Sequence, residues 1–348
     1  MARKHLLGLS LPELESLAES MGQPAFRGNQ IRNWLFRNLE TDFRKMTNLP
    51  KPMLEALEAE AECTTLKVQA RQDSTDGTIK WLLETADGHF FETVLIPTED
   101  RRSVCVSSQI GCAMGCTFCR TATMGFIRNL SLGEILEQAH IVSRHLRDTD
   151  GSRLSNVIFM GMGEPLLNLE NVARACEALN DPGGFGIAKD KITVSTSGIA
   201  PKITEWGRRA PDYKLAISLN GSNNAIRSEI MPVNRRYPIE TLLETADEYI
   251  RLTGQKLTFE YILIKGKTCT PESARELRNI ASRRNCKINL IPLNRGEDPA
   301  MQAPGEEEIL AFEKNLARGD FQVLRRRPRG PDIYAACGQL AAAQKKVA

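Results

Sequence analysis

The densest chemistry in the chain lies in Cys112-Ala113-Met114-Gly115-Cys116-Thr117-Phe118-Cys119, three cysteines at C-x3-C-x2-C spacing. Thiolates this close in sequence suggest a shared metal or cluster, and Gly111, Gly115 and Gly125 let the backbone wrap a bulky centre. Cubane iron–sulfur clusters are held by cysteine thiolates, normally four. Three local thiolates therefore leave one iron open to a substrate or cofactor. Structural zinc closes four positions with separated Cys or His pairs, and His5, His89, His140 and His145 offer no partner pair. The pattern favours a 4Fe-4S cluster over zinc or unliganded core cysteines.

Four short polar segments stand where apolar runs stop: Gly161-Met162-Gly163-Glu164-Pro165, Ser195-Thr196-Ser197-Gly198, Ser218-Leu219-Asn220 and Pro292-Leu293-Asn294. Glycine permits close backbone approach, and Glu164 or Asn220 can bond an amine or a ribose hydroxyl. Turns use the same residues, but four such segments in succession mark a cofactor site. Glu92, between Phe91 and Thr93, reads locally as a solvent-facing strand carboxylate. Cys337 follows a basic run and two alanines and precedes Gly338. That setting suits a reactive thiolate near cations, although local sequence alone favours an incidental small apolar residue.

The elements that must position these groups fall into four stretches. Residues 1–60 read as a helical domain, opened by the capping box Ser10-Leu11-Pro12-Glu13. On one helix Ile31, Trp34 and Leu35 share a face while Arg27, Arg32 and Arg37 reach outward, either to RNA or to solvent. Residues 61–100 hold three short runs, Thr64–Ala70, Thr78–Glu84 and Phe90–Ile96, parted by Asp76-Gly77 and Asp87-Gly88, and predict a small linking sheet. Over 101–320 strands alternate with helices such as the one begun by Ser131-Leu132-Gly133-Glu134. Six such units predict an α/β fold, a partial parallel (β/α)6 barrel, with its chemistry at the C-terminal strand ends. Residues 321–348 predict a last strand, Phe321–Leu324, and a tail carrying Cys337.

With 348 residues and 41% hydrophobic content the chain suits a globular protein. No apolar run approaches the ~18 residues needed to span a membrane, and no signal peptide is expected. Nine cysteines, an odd number with three clustered, argue for a reducing, cytoplasmic setting. Net charge is only +3, but residues 1–100 carry −5 and the remainder +8, with Arg325-Arg326-Arg327-Pro328-Arg329 able to meet phosphates.

The cysteine spacing resembles the signature of the radical S-adenosylmethionine (SAM) superfamily, in which the open iron chelates SAM. Further motifs resemble that superfamily's RNA adenine C2 methyltransferases, and more distantly a C8-methylating relative: Phe26-Arg27-x-x-Gln30-Ile31, Asp76-Gly77-Thr78-Ile79-Lys80, Glu92-Thr93-Val94-x-Ile96-Pro97, Cys105-Val106-Ser107-Ser108-Gln109, Gly161-Met162-Gly163-Glu164-Pro165, and Arg329-Gly330-x-Asp332-Ile333-x-Ala335-Ala336-Cys337-Gly338-Gln339-Leu340. The resemblance implies that Cys112, Cys116 and Cys119 hold the cluster. It implies that Gly163, Glu164, Ser195, Ser218, Leu219, Asn220 and Asn294 contact SAM, with Asn220 standing where many relatives carry histidine. It implies that Cys337 takes a methyl from one SAM, that a second SAM gives a radical which activates that methyl for addition to adenine C2, and that Glu92 accepts the C2 proton. Cys105 then resolves the adduct, leaving a Cys105–Cys337 disulfide. The implied partners are 23S rRNA, tRNA and a flavodoxin-like electron donor. Cys63, Cys176, Cys269 and Cys286 match no motif and read as structural.

Overall fold

The computed structural model describes residues 3–294 and 301–341; Lys345 and Lys346 of the basic tail lie outside them. A ten-stranded sheet runs through the molecule, with every hydrogen-bonded neighbour also the next strand of that sheet in sequence. Lys67–Asp73, Ile79–Glu84, Phe90–Pro97 and Arg102–Cys105 form an antiparallel meander. From Arg102–Cys105 onward the sheet is parallel, through Asn156–Phe159, Ile192–Thr196, Lys214–Ser218, Leu257–Leu263, Cys286–Pro292 and Gln322–Arg325. The parallel strands are the predicted β/α units, and the sheet stays open rather than closing into a full barrel. The segment expected as a linking sheet is continuous with it, because Val94 pairs with Cys105 and Leu95 with Val104.

Helices cover the parallel strands as crossover connections require. Leu132–Asp150 is capped by the predicted box, with Ser131 Oγ accepting from Glu134 N and the Glu134 carboxylate accepting from Ser131 N. It buries Ile135, Leu136, Ala139, Val142 and Leu146 in the main core. Leu169–Asn180, Ala200–Arg209, Ile239–Thr253, Pro271–Ala281 and Glu306–Leu316 complete the layer.

The N-terminal helices Leu11–Ser20, Phe26–Phe36 and Lys51–Glu60 enclose their own core around Leu14, Ile31, Leu35 and Leu57. Two of the arginines expected to face outward instead grip the barrel. Arg32 Nη1 pairs with Asp181 at 2.7 Å, and Arg37 donates to the Pro182 carbonyl at 3.1 Å. Acceptors on the loop after Leu169–Asn180 compete successfully with water. The junction is tightened by Glu137, whose buried carboxylate accepts from Thr65 N and Leu66 N and lies 3.3 Å from His5 Nε2.

Candidate active site

The cysteines sit on a loop closed by a small hairpin, Gln109–Gly111 against Phe126–Asn129. Gly111 adopts φ +71°, and a Cβ there would fall 1.8 Å from the Gly125 carbonyl oxygen, so the turn admits only glycine. Cys112 N donates to Gly125 O at 2.8 Å, Cys119 N to Cys116 O at 3.1 Å, and Thr117 N to Ile230 O at 3.0 Å. Burial pushes the Cys112 thiol up to about 12, and the Cys116 thiol rises through burial and then through Cys119 and Cys112 beside it. The three thiols thus share one loop. Among the described residues, however, no group of three or more His, Cys, Asp or Glu is placed to hold a single metal ion. Zinc would draw sulfurs to about 2.3 Å from one point; a cubane spreads them over separate irons. Behind the loop lies Arg227, fully buried and paired with no carboxylate among the described residues. It donates to the Leu219 and Ser197 carbonyls at 2.9 and 2.6 Å and to Asn234 Oδ1 at 2.9 Å. Burial pulls it down to about 10, and Cys116 is the group that opposes this. Three thiols backed by a buried cation fit an anionic iron–sulfur centre.

The strand-end segments gather on the same side. Glu164 is 2% exposed. Its carboxylate accepts from Ser197 N at 2.7 Å and Leu166 N at 3.0 Å, its pKa raised by burial. Gly163 at φ +100° leaves no room for a side chain, since a Cβ would meet Gln109 Cβ at 2.5 Å. Ser195 lies in Ile192–Thr196, and Ser218 ends Lys214–Ser218. Leu219 is fully buried and offers its backbone, its N–H going to the Glu260 carbonyl. Asn220 takes the left-handed φ of +54°, and its amide is spent on Ile262 N at 2.9 Å and Met231 Sδ at 3.4 Å. Asn294 donates to the Cys337 carbonyl at 3.0 Å.

That last bond belongs to a tail that returns across the barrel mouth. Arg120 N donates to Gly338 O at 2.8 Å, and Thr121 Oγ1 to Leu340 O at 2.7 Å. Both donors directly follow Cys119, so the tail packs on the cluster loop. Arg120 stacks its guanidinium 5.4 Å from the Tyr334 ring centroid. From the other side, Asp76 accepts from Gly330 N and Ser74 Oγ donates to Asp332. Cys337 and the buried Cys105 thereby line one cavity of about 560 Å3. Burial pushes the Cys105 thiol up to about 12, with Cys337 adding to the rise.

Glu92 is not solvent-facing. It is 5% exposed, lies 3.0 Å from Lys80 Nζ, and accepts from Ala341 N at 2.9 Å. Lys80 also donates to the Tyr334 carbonyl at 3.3 Å. Lys80 and Arg326 are the groups missed from sequence. Lys80 ends the Asp76–Lys80 motif, which carried no assigned role. Arg326 belongs to the basic run expected to meet phosphates, but it lies one residue past Gln322–Arg325 and lines the cavity that reaches both thiols. It bonds Met160 Sδ at 3.0 Å and its pKa is raised foremost by Cys337, then by Glu260 and Cys105.

Residues 4–63 match the Ribosomal RNA large subunit methyltransferase N-terminal domain, and residues 106–277 match the Radical SAM superfamily. The chain is 42% identical over 344 residues to the dual-specificity RNA methyltransferase RlmN of Anaeromyxobacter sp., covering 98% of this chain and 91% of that one. This chain belongs to the RlmN family. A second RlmN relative, RlmN 2 of Myxococcus xanthus, is 45% identical over 338 residues, 96% of this chain and 89% of its own. A crystal structure of a radical SAM methyltransferase from Sphaerobacter thermophilus aligns with a TM-score of 0.94 at 41% identity, over 97% of this chain and 99% of that one. As a radical SAM protein of the RlmN family, the chain uses a 4Fe-4S cluster and SAM. Among the described residues no helix is long and apolar enough to cross a membrane.

Proposed function

We propose that this chain methylates C2 of adenosine in 23S rRNA and in tRNA, with Cys337 as the methyl carrier, Cys105 as the resolving thiol and Glu92 as the base. The observation that carries the reading is the return of the tail, which sets Cys337 between the cluster loop and Cys105. When bound at Cys112, Cys116 and Cys119, the cluster and SAM supply the methyl group and the one-electron chemistry that an electron-poor ring carbon requires. Gly163, Glu164, Ser195, Ser218, Leu219, Asn220 and Asn294 would hold SAM at the C-terminal ends of the strands.

Cys337 accepts a methyl group on sulfur and later links to the adenine through that carbon. Glu92 takes the C2 proton, which requires Ala341 N–H to leave its carboxylate oxygen. Cys105 attacks the Cys337 sulfur, freeing methylated RNA and forming a disulfide. The Arg326 guanidinium lies beside both thiols and opposes the burial-driven rise at Cys105. A flavodoxin-like protein delivers the electrons. The test is anaerobic turnover with SAM, reductant and rRNA or tRNA fragments, read by product mass spectrometry against C2- and C8-methyladenosine standards. C2 product on both RNAs is expected; C8 product alone would sink the reading.

A further inference from the structure

The cavity that reaches Cys105 and Cys337 does not open only toward the cluster. Its far end is lined by residues at the N-terminal ends of the parallel strands. Arg101 precedes Arg102–Cys105, Lys191 precedes Ile192–Thr196, Lys214 begins Lys214–Ser218, and Lys287 is second in Cys286–Pro292. Arg101, Lys191 and Arg327 are exposed and mark a mouth there, while Cys105 at the inner end is buried. The lining carries eight Lys or Arg residues against two carboxylates, Asp190 and Glu260. Asp190 is paired with Lys191, whereas Arg101, Lys214, Lys287 and Arg327 make no salt bridge among the described residues. None of the three cluster cysteines lines this cavity, nor do Glu164, Ser195 or Ser218. Asn294 and the tail residues Ala335, Ala336 and Leu340 line its inner end, so the thiol pair also has a strongly basic approach from the N-terminal ends of the strands.

We propose that this lumen is the route by which a small anionic thiol reaches and reduces the Cys105–Cys337 disulfide. The inference rests on the disulfide of the proposed reaction. A volume of about 560 Å3 admits a small organic molecule and excludes a protein domain. The unpaired cations concentrate anions within it. The exchange balances in two steps. A thiolate RS− attacks Cys337 Sγ, forming R–S–S–Cys337 and expelling Cys105 as a thiolate that then takes a proton. A second RS− attacks the R sulfur, releasing RSSR and the Cys337 thiolate, which then takes a proton. Two reductant thiols become one disulfide, and two electrons enter the protein.

The experiment starts from full-length holoenzyme oxidised by one round of turnover and freed of RNA, with thiol recovery followed by alkylation and mass spectrometry. Anionic 2-mercaptoethanesulfonate is compared with neutral 2-mercaptoethanol at equal thiolate concentration. The anionic thiol should act at least ~10-fold faster at low salt, an advantage that falls as salt rises. The salt series needs no variant. Lys214→Glu with Lys287→Glu should bring the ratio near one and leave the neutral thiol's rate unchanged. Equal rates for the two thiols in the wild-type protein would overturn the route. So would charge reversals that weaken RNA binding while leaving the thiol ratio intact, because the lumen would then be an RNA surface. Absence of any Cys105–Cys337 disulfide after turnover would overturn the proposed reaction itself, and the route with it.

Discussion

Glu92 becomes a candidate base through its neighbours. A carboxylate in an isolated strand reads as solvent-facing, and the local pattern Phe91-Glu92-Thr93 said no more. Its partner Lys80 lies on the adjoining strand, where Leu82 is the residue opposite Glu92, and that pairing is a long-range fact. Replacing Lys80 with Met strands a buried carboxylate without its counter-charge, a change that costs about 3–5 kcal/mol for buried pairs. Lys80→Met should therefore lower the thermal midpoint and reduce turnover by about 10-fold or more, whereas Lys80→Arg should keep most of both. Undiminished turnover in Lys80→Met would remove Lys80 from the site. The thiols make a sharper pair. Cys337→Ala should abolish methylation, and Cys105→Ala should accumulate a covalent protein–RNA adduct visible on denaturing gels; normal turnover in either refutes the assigned roles. The three candidate cluster cysteines stand out because their spacing is local, whereas Arg326 is hidden in a run of like charges, its place beside Cys105 and Cys337 set by what lies opposite it in the fold.

At the scale of elements, the parallel strands and their covering helices were legible because apolar runs, caps and turn residues recur locally. The capping boxes at Ser10 and Ser131 both form. Two features were not legible. The meander from Lys67 to Pro97 continues the main sheet, and the basic face of Phe26–Phe36 turns toward the barrel. Each depends on what lies opposite, which period and composition do not encode. The cysteine loop is the element on which activity turns, and Gly111 is its tightest point. Gly111→Ala places a methyl against the Gly125 carbonyl at a φ that L side chains rarely adopt. The hairpin must then open, while the sheet behind it keeps its core. Iron and sulfide content per chain, measured after anaerobic reconstitution, should fall to a small fraction of wild type with a near-native far-UV circular dichroism spectrum. Full cluster content in that variant would show that the loop tolerates a different turn.

Across the whole molecule, residues far apart in sequence meet because the tail is held from two sides. The Ser74–Lys80 turn binds Gly330, Asp332 and Tyr334, and the cluster loop binds Gly338 and Leu340. The same compactness leaves several thiols buried in separate parts of the core, with a consequence for stability at alkaline pH. Burial pushes Cys63 and Cys105 up to about 12, and Cys176 well above the ordinary thiol range. In the unfolded chain each would titrate near ~8.5. Below that pH both states hold the protons and the full stability is present. Above it the unfolded chain loses protons that the folded chain keeps, so stability falls as pH rises toward the folded values. The slope approaches about 1.4 kcal/mol per pH unit for each such thiol. Denaturant midpoints of the cluster-free protein should thus fall between pH 8.5 and 10.5. Cys63→Ala with Cys176→Ala should start from a lower midpoint, because cavities are left, but decline less steeply. Parallel declines in the two proteins would mean that other groups govern the alkaline limit.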